Sequence, residues 1–553
     1  MRKKRILFCS EATFLNTGYA TYTREVMEQL HKTGKYELAE LASFAERNDP
    51  RGMALPWRYY GVEPNVKCSP KASKEEIKQF ESGNYNKFGE FIFEEVCLDF
   101  KPDIVFDIRD FWMLEFVERS PYRNYFNWVI MPTVDAEPQA RQWISTYSTA
   151  DAVFSYSEWS GELMEKQSGG KIKYQGTAPP SANPAYKPMD KAYCRGVLGI
   201  DKDVKIIGTV MRNQRRKLYP DLFKAFRLFL DSVDNPSEYK LYCHTAYPDL
   251  GWEIPELLQQ YSLSSSVYFT YMCPKTEKTF ASLYSGARTV SPFTKKFDAT
   301  MCNVRKGASY EQLSQIMNCF DLYVQYANSE GFGLPQVEAA ACGIPVMATD
   351  YSAMSSVVKN LNGIPLTPKG VYKELETGCH RAIPDNENAA REFKRFFESE
   401  SLMECMAEDS LAGFKKYYQW EQTAERLMDC FDKLPIIPEE KSWKSPFRIK
   451  KPASILKEIP PQATYTDLAR WLIVKVLGEP DKLNTQFESR LVRDLMYESR
   501  NQTTSKSYTN ESSAAFDGRV IRTPFSFKDA YNEMKYLAQK RNHWEDKRRK
   551  AKL

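Results

Sequence analysis

Histidine is scarce in this chain, with four in 553 residues. That leaves little room for a His-based metal centre or a Ser-His-Asp triad. None of the twelve cysteines stands in a Cys-x-x-Cys pair, and several, such as Cys9, Cys243 and Cys342, sit inside apolar runs. They read as reduced, mostly buried thiols of a cytoplasmic protein. No run of eighteen apolar residues occurs, so no transmembrane helix is expected. The basic start, Met1–Arg5, is followed only by Ile6-Leu-Phe-Cys9, too short for a signal-peptide core. There is no short-period repeat, and no Asp-x-Asp metal motif stands out.

The composition is globular, 42% apolar and 14% aromatic. The length predicts two large domains plus an appendage. The net charge of +5 is unevenly placed: Glu439–Leu553 holds 24 Lys and Arg against 15 Asp and Glu, the remainder 53 against 57. Two readings stay open for the basic C-terminal fifth. It is a solvated helical appendage, or a surface for a polyanion such as nucleic acid or an anionic membrane.

The first strand is predicted at Arg5–Ser10, followed by a loop, Thr13–Tyr19, and an amphipathic helix to about Leu30. This order opens a doubly wound α/β domain. Asp103–Asp107, Asn127–Met131 and Ala152–Tyr156 read as further strands. The proline-rich stretch from Ala178 to Pro188 reads as a linker. A second α/β series begins at Lys205–Val210 and continues through Tyr239–Cys243, Val267–Thr270 and Leu322–Gln325. From the Glu330 region a short helix, Val337–Ala341, and a buried strand, Ile344–Ala348, are expected, with helical segments then running to about Lys433. Pro435–Pro438 then opens the extension, in which Leu468–Val476 and Tyr531–Gln539 read as helical and Asn501–Ser513 as a loop. Between Thr270 and Tyr310, Cys273-Pro-Lys-Thr276, Ser291-Pro-Phe-Thr294 and Cys302 have a spacing like that of two zinc knuckles. Only Cys273 is a ligand type at a knuckle position, so a metal-free β excursion is expected.

The most informative run is Asn328–Met354. Glu330 and Glu338 bracket a glycine turn and a helix start. Gly331 and Gly333 allow close backbone approach to a ligand, and Pro335 suits a first helical turn. A helix N-terminus beside such a turn is a natural phosphate site, while each carboxylate can accept hydrogen bonds from sugar hydroxyls. The second constellation follows the Lys205–Val210 strand directly: Arg212-Asn-Gln-Arg-Arg-Lys217. There Arg212 can grip phosphate oxygens bidentately and Lys217 adds a point charge.

Together these residues resemble the retaining glycosyltransferases of family 4, over about residues 4–430. The Glu330…Glu338 pair, the Arg212…Lys217 pair and the Asn16-Thr-Gly18-Tyr19 loop carry the resemblance. It implies a GT-B fold: two facing Rossmann-like domains, with a helical basic C-terminal extension. The implied boundaries are 1–185 for the acceptor domain and 186–418 for the nucleotide-sugar domain, with an insertion at about 271–306. Residues 419–553 would be a helical segment returning to the first domain plus the extension. The donor would be a UDP- or GDP-sugar, held by Gly18, Gly331, Phe332, Gly333, Leu334, Glu338 and His244. Arg212, Lys217 and Glu330 are the implied catalytic residues: the cations meet the departing diphosphate and Glu330 the transferred sugar. No metal and no cofactor are expected. Val134 stands where many family members carry a polar group, so Asn16, Tyr19, Asp135 and Glu137 are assigned to the acceptor side.

The basic extension also resembles glycosyltransferases carried by large tailed bacteriophages. That resemblance implies duplex DNA bearing hydroxymethylated pyrimidines as acceptor, contacted through Arg541, Lys547, Arg548, Arg549, Lys550 and Lys552. Alternatives are a lipid or glycan acceptor, an epimerase or phosphorylase-like enzyme on the same fold, and a non-catalytic GT-B nucleic-acid or protein binding module.

Overall fold

The computed structural model describes residues 2–437 except 119, 121 and 304–306, then Trp443, 465–477 and the single residues 483, 488, 491 and 492. Two parallel sheets dominate. The first has the order β3-β2-β1-β4-β5-β6-β7. Its strands are β1 (Lys4–Glu11), β2 (Tyr36–Glu46), β3 (Arg58–Glu63), β4 (Ile104–Asp107), β5 (Asn127–Ile130), β6 (Ala152–Ser155) and β7 (Tyr174–Thr177). The apolar run of β1 lies at the centre and is buried on both faces, as helix-covered parallel strands are.

The second sheet has the order β12-β13-β10-β9-β8-β14-β15-β16. Here β8 is Lys205–Val210, β9 Tyr239–His244, β10 Val267–Met272, β11 Thr279–Leu283, β12 Arg288–Thr289 and β13 Ala299–Met301. β14 is Leu322–Gln325, β15 Val346–Thr349 and β16 Ile364–Leu366. β11 pairs antiparallel with β10, and β13 with both β10 and β12, so the described part of the insertion, up to residue 303, is a β excursion from the sheet edge. It contains two turns with the same bonding. The Cys273 N–H reaches Lys278 O (3.0 Å) and the Glu277 N–H reaches Cys273 O (2.8 Å). Likewise the Ser291 N–H reaches Lys296 O (2.8 Å) and the Lys295 N–H reaches Ser291 O (2.9 Å).

Three expectations need correction. β2 and β3 escaped sequence reading because β2, Tyr-Glu-Leu-Ala-Glu-Leu-Ala-Ser-Phe-Ala-Glu, is rich in helix formers; pairing on both edges overrides that preference. The stretch after β15 is not all helical. Besides β16 it folds a hairpin of β17 (Gly370–Lys373) and β18 (His380–Ile383). The Ala178–Pro188 stretch is no loose linker: Ala178, Ala182 and Tyr186 belong to the main core, and the Ser181 hydroxyl donates to Tyr418 O at 2.7 Å.

The helix Trp420–Lys433 lies against the first domain. Trp420 packs on Tyr22 at 5.7 Å and Phe431 on Phe106 at 5.4 Å. Lys4 Nζ donates to the carbonyls of Phe431, Asp432 and Leu434. A cation there meets the unpaired carbonyls and the negative end of the helix dipole. A short helix, Tyr465–Trp471, runs into a π-turn, Leu472–Leu477, where a helix was predicted. The predicted Asn501–Ser513 loop, the Tyr531–Gln539 helix and the basic residues from Arg541 to Lys552 lie outside the described residues.

Candidate active site

Ligands of open parallel sheets bind beyond the carboxyl ends of the strands, at the point where strand order reverses. In the second sheet β8 and β14 are neighbours there, and their following loops are stitched together. The Asn328 N–H donates to Arg216 O (3.0 Å), the Leu218 N–H donates to Tyr326 O (3.1 Å), and Lys217 bridges Ala327. This pairing brings the two motifs of the sequence to one point.

That point is Glu330, whose side chain is buried. Lys217 Nζ and Arg216 Nη1 both form ion pairs with its carboxylate, and Gln325 Nε2 donates to it at 2.8 Å. Its backbone N–H donates to Ser352 Oγ at 2.9 Å. Burial, and then the adjacent Arg216, push the Lys217 amine well below the usual lysine range. Beyond Glu330 the backbone turns through Gly333 at φ 88°, a left-handed conformation that favours glycine. The helix Leu334–Ala341 follows, with Pro335 in its first turn and no side-chain cap at its N-terminus. Leu334 is half-buried at its first position.

Glu338, on that helix, is buried. Burial raises its carboxyl to about 7, opposed by a hydrogen bond from Tyr186. The Phe332 ring is buried against Tyr418 at 5.7 Å, so it is the Phe332 backbone that is offered to a ligand. Gly331 makes its close approach to protein, since a Cβ there would lie 2.3 Å from Thr133 Cγ2.

Arg212 does not join Lys217. It forms a two-point pair with Asp249, at 2.9 and 3.0 Å. Arg216, next to Lys217 in sequence, takes the place beside Glu330. Arg212 instead lines a cavity of about 300 Å³ with His244, Thr245, Asp249 and Pro335. His244 Nδ1 lies 2.9 Å from Thr270 Oγ1, and burial lowers its pKa to about 4, so the ring is neutral at pH 7. The cavity therefore joins Arg212 and His244 to the start of the Leu334–Ala341 helix.

On the first domain, Asn16 and Gly18 are exposed, and Gly18 opens the helix Gly18–Thr33 behind the Thr17 cap. The Tyr19 hydroxyl donates to Asp110 Oδ1 (2.7 Å) and lies 2.5 Å from Thr133 Oγ1. Burial raises the Asp110 carboxyl to about 6, against the hydrogen bonds from Tyr19 and Thr133; Asp135 and Arg216 also act on it. Asp135 pairs with Arg381 at 2.8 Å. Arg381 also donates to Glu374 (2.8 Å) and Ser329. Glu137 meets the second domain through its main chain, its carbonyl accepting the His380 N–H at 2.6 Å.

Sequence reading missed Asp110, Thr133, Arg216 and Arg381. Asp110 carried a signal, a carboxylate just past a strand end. Arg216 lay inside a segment already singled out. Arg381 sits on β18, in a stretch read as helical, and had none.

Residues 299–410 match the family described as "Glycosyl transferases group 1". D-inositol 3-phosphate glycosyltransferase of Rhodococcus jostii (strain RHA1) is 24% identical over 300 residues, 53% of this chain and 56% of that protein. Sucrose synthase 2 of Hordeum vulgare is 29% identical over 134 residues, 24% of this chain and 14% of that one. The chain thus spans about half, or less, of the curated relatives it matches. Among solved structures, sucrose-phosphate synthase (tll1590) from Thermosynechococcus elongatus superposes with a TM-score of 0.57 at 18% identity, covering 78% of this chain and 99% of that one. Anabaena Alr3699/HepE in complex with UDP gives 0.52 at 14%, covering 78% and 100%. The fold is GT-B, as the resemblance implied.

Proposed function

We propose that the protein is a retaining, metal-independent glycosyltransferase that moves a sugar from a UDP- or GDP-sugar to an acceptor hydroxyl. One observation carries the reading: Glu330, Lys217 and Arg216 converge beside the Leu334–Ala341 N-terminus, at the strand ends of a GT-B fold. The bond from the sugar C1 to the diphosphate oxygen breaks, and a bond from C1 to the acceptor oxygen forms. The acceptor proton passes to the departing phosphate oxygen, so no strong protein base is needed. Negative charge builds on the diphosphate, and preplaced cations with a helix N-terminus stabilise it.

Lys217 is next to the reacting centre. Arg212 reaches the diphosphate by exchanging Asp249 for phosphate oxygens across the His244 cavity. Glu338 accepts from the ribose hydroxyls and Glu330 from the transferred sugar. UDP is favoured as the nucleotide, because UDP is bound in the Anabaena structure of the same fold. Twelve free cysteines fit a reducing, cytoplasmic setting. Among the described residues no helix is long and apolar enough to cross a membrane. The acceptor we favour is a hydroxymethylated pyrimidine in phage DNA, held by the basic extension through phosphate contacts.

Glu330→Ala and Arg212→Ala, assayed with UDP- and GDP-sugars by mass spectrometry, test the reading. Each is expected to lose at least ~100-fold, the scale of one transition-state contact. Wild-type turnover in both variants would end it. Retention is read from the anomeric configuration of the product, and metal independence from unchanged turnover in EDTA. Duplex DNA binding that weakens steeply with salt tests the acceptor. Binding to anionic vesicles alone would favour a lipid acceptor.

A further inference from the structure

We infer that Tyr19, Asp110, Thr133 and Tyr156 form the acceptor subsite, and that this subsite takes an uncharged alcohol in preference to a phosphorylated one, the phosphates of a DNA acceptor staying outside it. The inference rests on the glycosyltransferase reading and adds the chemical class of the acceptor.

Geometry places the cluster. Thr133 abuts Gly331, the residue after Glu330, and Tyr19 links Thr133 to Asp110. Arg216, which pairs with Glu330, also feels the charges of Asp135 and Asp110. The cluster therefore stands across the crevice from the carboxylate assigned to the transferred sugar. An independent observation points to a ligand. The buried Tyr156 hydroxyl meets Thr133 without forming a well-formed hydrogen bond, and Asp110 is the charge that acts on it most strongly. The Tyr147 hydroxyl is buried and makes no well-formed hydrogen bond, with Asp110 again its strongest charged neighbour. A buried hydroxyl without a well-formed hydrogen bond is costly, and a ligand oxygen removes that cost.

The charge pattern selects the ligand. The first domain contributes two carboxylates to the crevice, Asp110 and Asp135, both acting on Arg216. The cations that reach it are already matched, Arg216 and Lys217 by Glu330 and Arg381 by Asp135 and Glu374. Among the described residues no cation placed at the cluster is left unmatched to meet a phosphate dianion, whereas an alcohol donates its O–H to Asp110 and accepts from Tyr156. Asp110 thus seats the bound alcohol; its O–H then turns from Asp110 to the departing phosphate oxygen, which takes the proton as the C1–acceptor oxygen bond forms and the C1–phosphate bond breaks.

Two acceptor pairs test this with the full chain and its best nucleotide-sugar. One is glucose against glucose 6-phosphate. The other is 5-hydroxymethyldeoxycytidine against its 5′-monophosphate, which separates a free sugar from a nucleic-acid source. Each compound is scored by glycosylation and by suppression of donor hydrolysis, so a bound but unglycosylated alcohol still reports. The neutral member of at least one pair is expected to win by at least 10-fold in kcat/KM or in suppression. Asp110→Asn and Tyr156→Phe are expected to raise the acceptor KM at least 10-fold, with UDP affinity by calorimetry held within twofold and Tyr156→Phe melting no lower than wild type. Preference for the phosphorylated members, no effect of any neutral member, or joint loss of UDP affinity and folding in the variants would overturn the subsite. A wild-type chain that neither binds UDP nor cleaves any nucleotide-sugar would instead remove the parent reading, and this inference with it.

Discussion

A Cβ on Gly331 would stand 2.3 Å from the Cγ2 methyl of Thr133, so the two domains touch at a point where only a hydrogen fits. The contact sits between Glu330 and the Tyr19–Asp110 pair, and it sets the spacing of the crevice. Gly331→Ala is expected to pry the domains apart and cut transfer at least ~10-fold, since overpacking costs about 1–3 kcal/mol. Thr133→Ser removes the clashing methyl and keeps the hydroxyl, so the double variant should recover most activity. Equal loss in single and double variants, measured as kcat/KM, would show that the methyl is not the obstacle.

Lys217 and Arg216 share one carboxylate, and the two are not equivalent. Lys217 is buried whereas the Arg216 side chain is 42% exposed. Lys217→Met should cost at least ~100-fold in kcat, the scale of a lost transition-state contact. Arg216→Met should cost less in kcat and more in acceptor KM, because Arg216 also faces Asp110 and Asp135. Steady-state kinetics of the two variants separates these outcomes.

Arg381 holds Asp135 of one domain and Glu374 of its own hairpin, and its side chain is only 9% exposed. Its removal leaves two part-buried carboxylates unmatched. Loss of one partner of a fully buried pair costs about 3–5 kcal/mol, and the partial exposure of these partners brings the expected cost to roughly 2 kcal/mol. Denaturant unfolding of Arg381→Met measures it. An unchanged midpoint would mean that the clasp contributes nothing to stability.

Glu40 is buried beside Thr13 and Trp57 with neither carboxylate oxygen in a well-formed hydrogen bond, and burial raises its carboxyl to about 7. A raised carboxyl makes the folded state hold its proton more tightly than the unfolded chain does. The associated stability is full below the ordinary glutamate range and is lost as pH rises through about 7. Thermal unfolding should therefore fall between pH 5 and pH 8, by on the order of 3 kcal/mol from this group. Glu40→Gln should lessen that slope, the raised Glu338 and Asp110 carboxyls keeping their share, and melt higher than wild type at pH 8. A variant that is equally pH-sensitive would place the titration elsewhere.

The two matched turns of the insertion carry Cys273, Thr276, Ser291 and Thr294 at knuckle positions. One thiolate does not hold tetrahedral zinc, so elemental analysis should find no stoichiometric zinc. Replacing Thr276, Ser291 and Thr294 with cysteine should create a site that binds one cobalt with a tetrahedral thiolate spectrum. Zinc at one per chain in the wild type would contradict the first expectation, and a colourless triple variant the second.

Much of the molecule was legible in the sequence because it rests on local rules. The apolar runs of β1, β4, β5, β8 and β14 read as buried parallel strands, and Gly333 with Pro335 announced the helix start beside Glu330. Burial of such strands leaves a repeating pattern within a few residues, and a left-handed turn demands glycine where it stands. Which cation meets Glu330, by contrast, was decided by the pairing of the β8 and β14 loops, which turns Lys217 and Arg216 inward and leaves Arg212 to Asp249. β2 went unread because two neighbouring strands, distant in sequence, supply the partners that its helix-forming residues lack. Thr133 meets Gly331, and Arg381 meets Asp135, only because the two sheets face each other across the crevice, while Asp110 meets Tyr19 through the packing of the first domain. The sequence by itself determined the two sheets and the two motif segments. Only the tertiary structure decided their partners, because an ion pair or a shared hydroxyl is set by distance in space, and loop residues carry no periodic signal of what lies opposite.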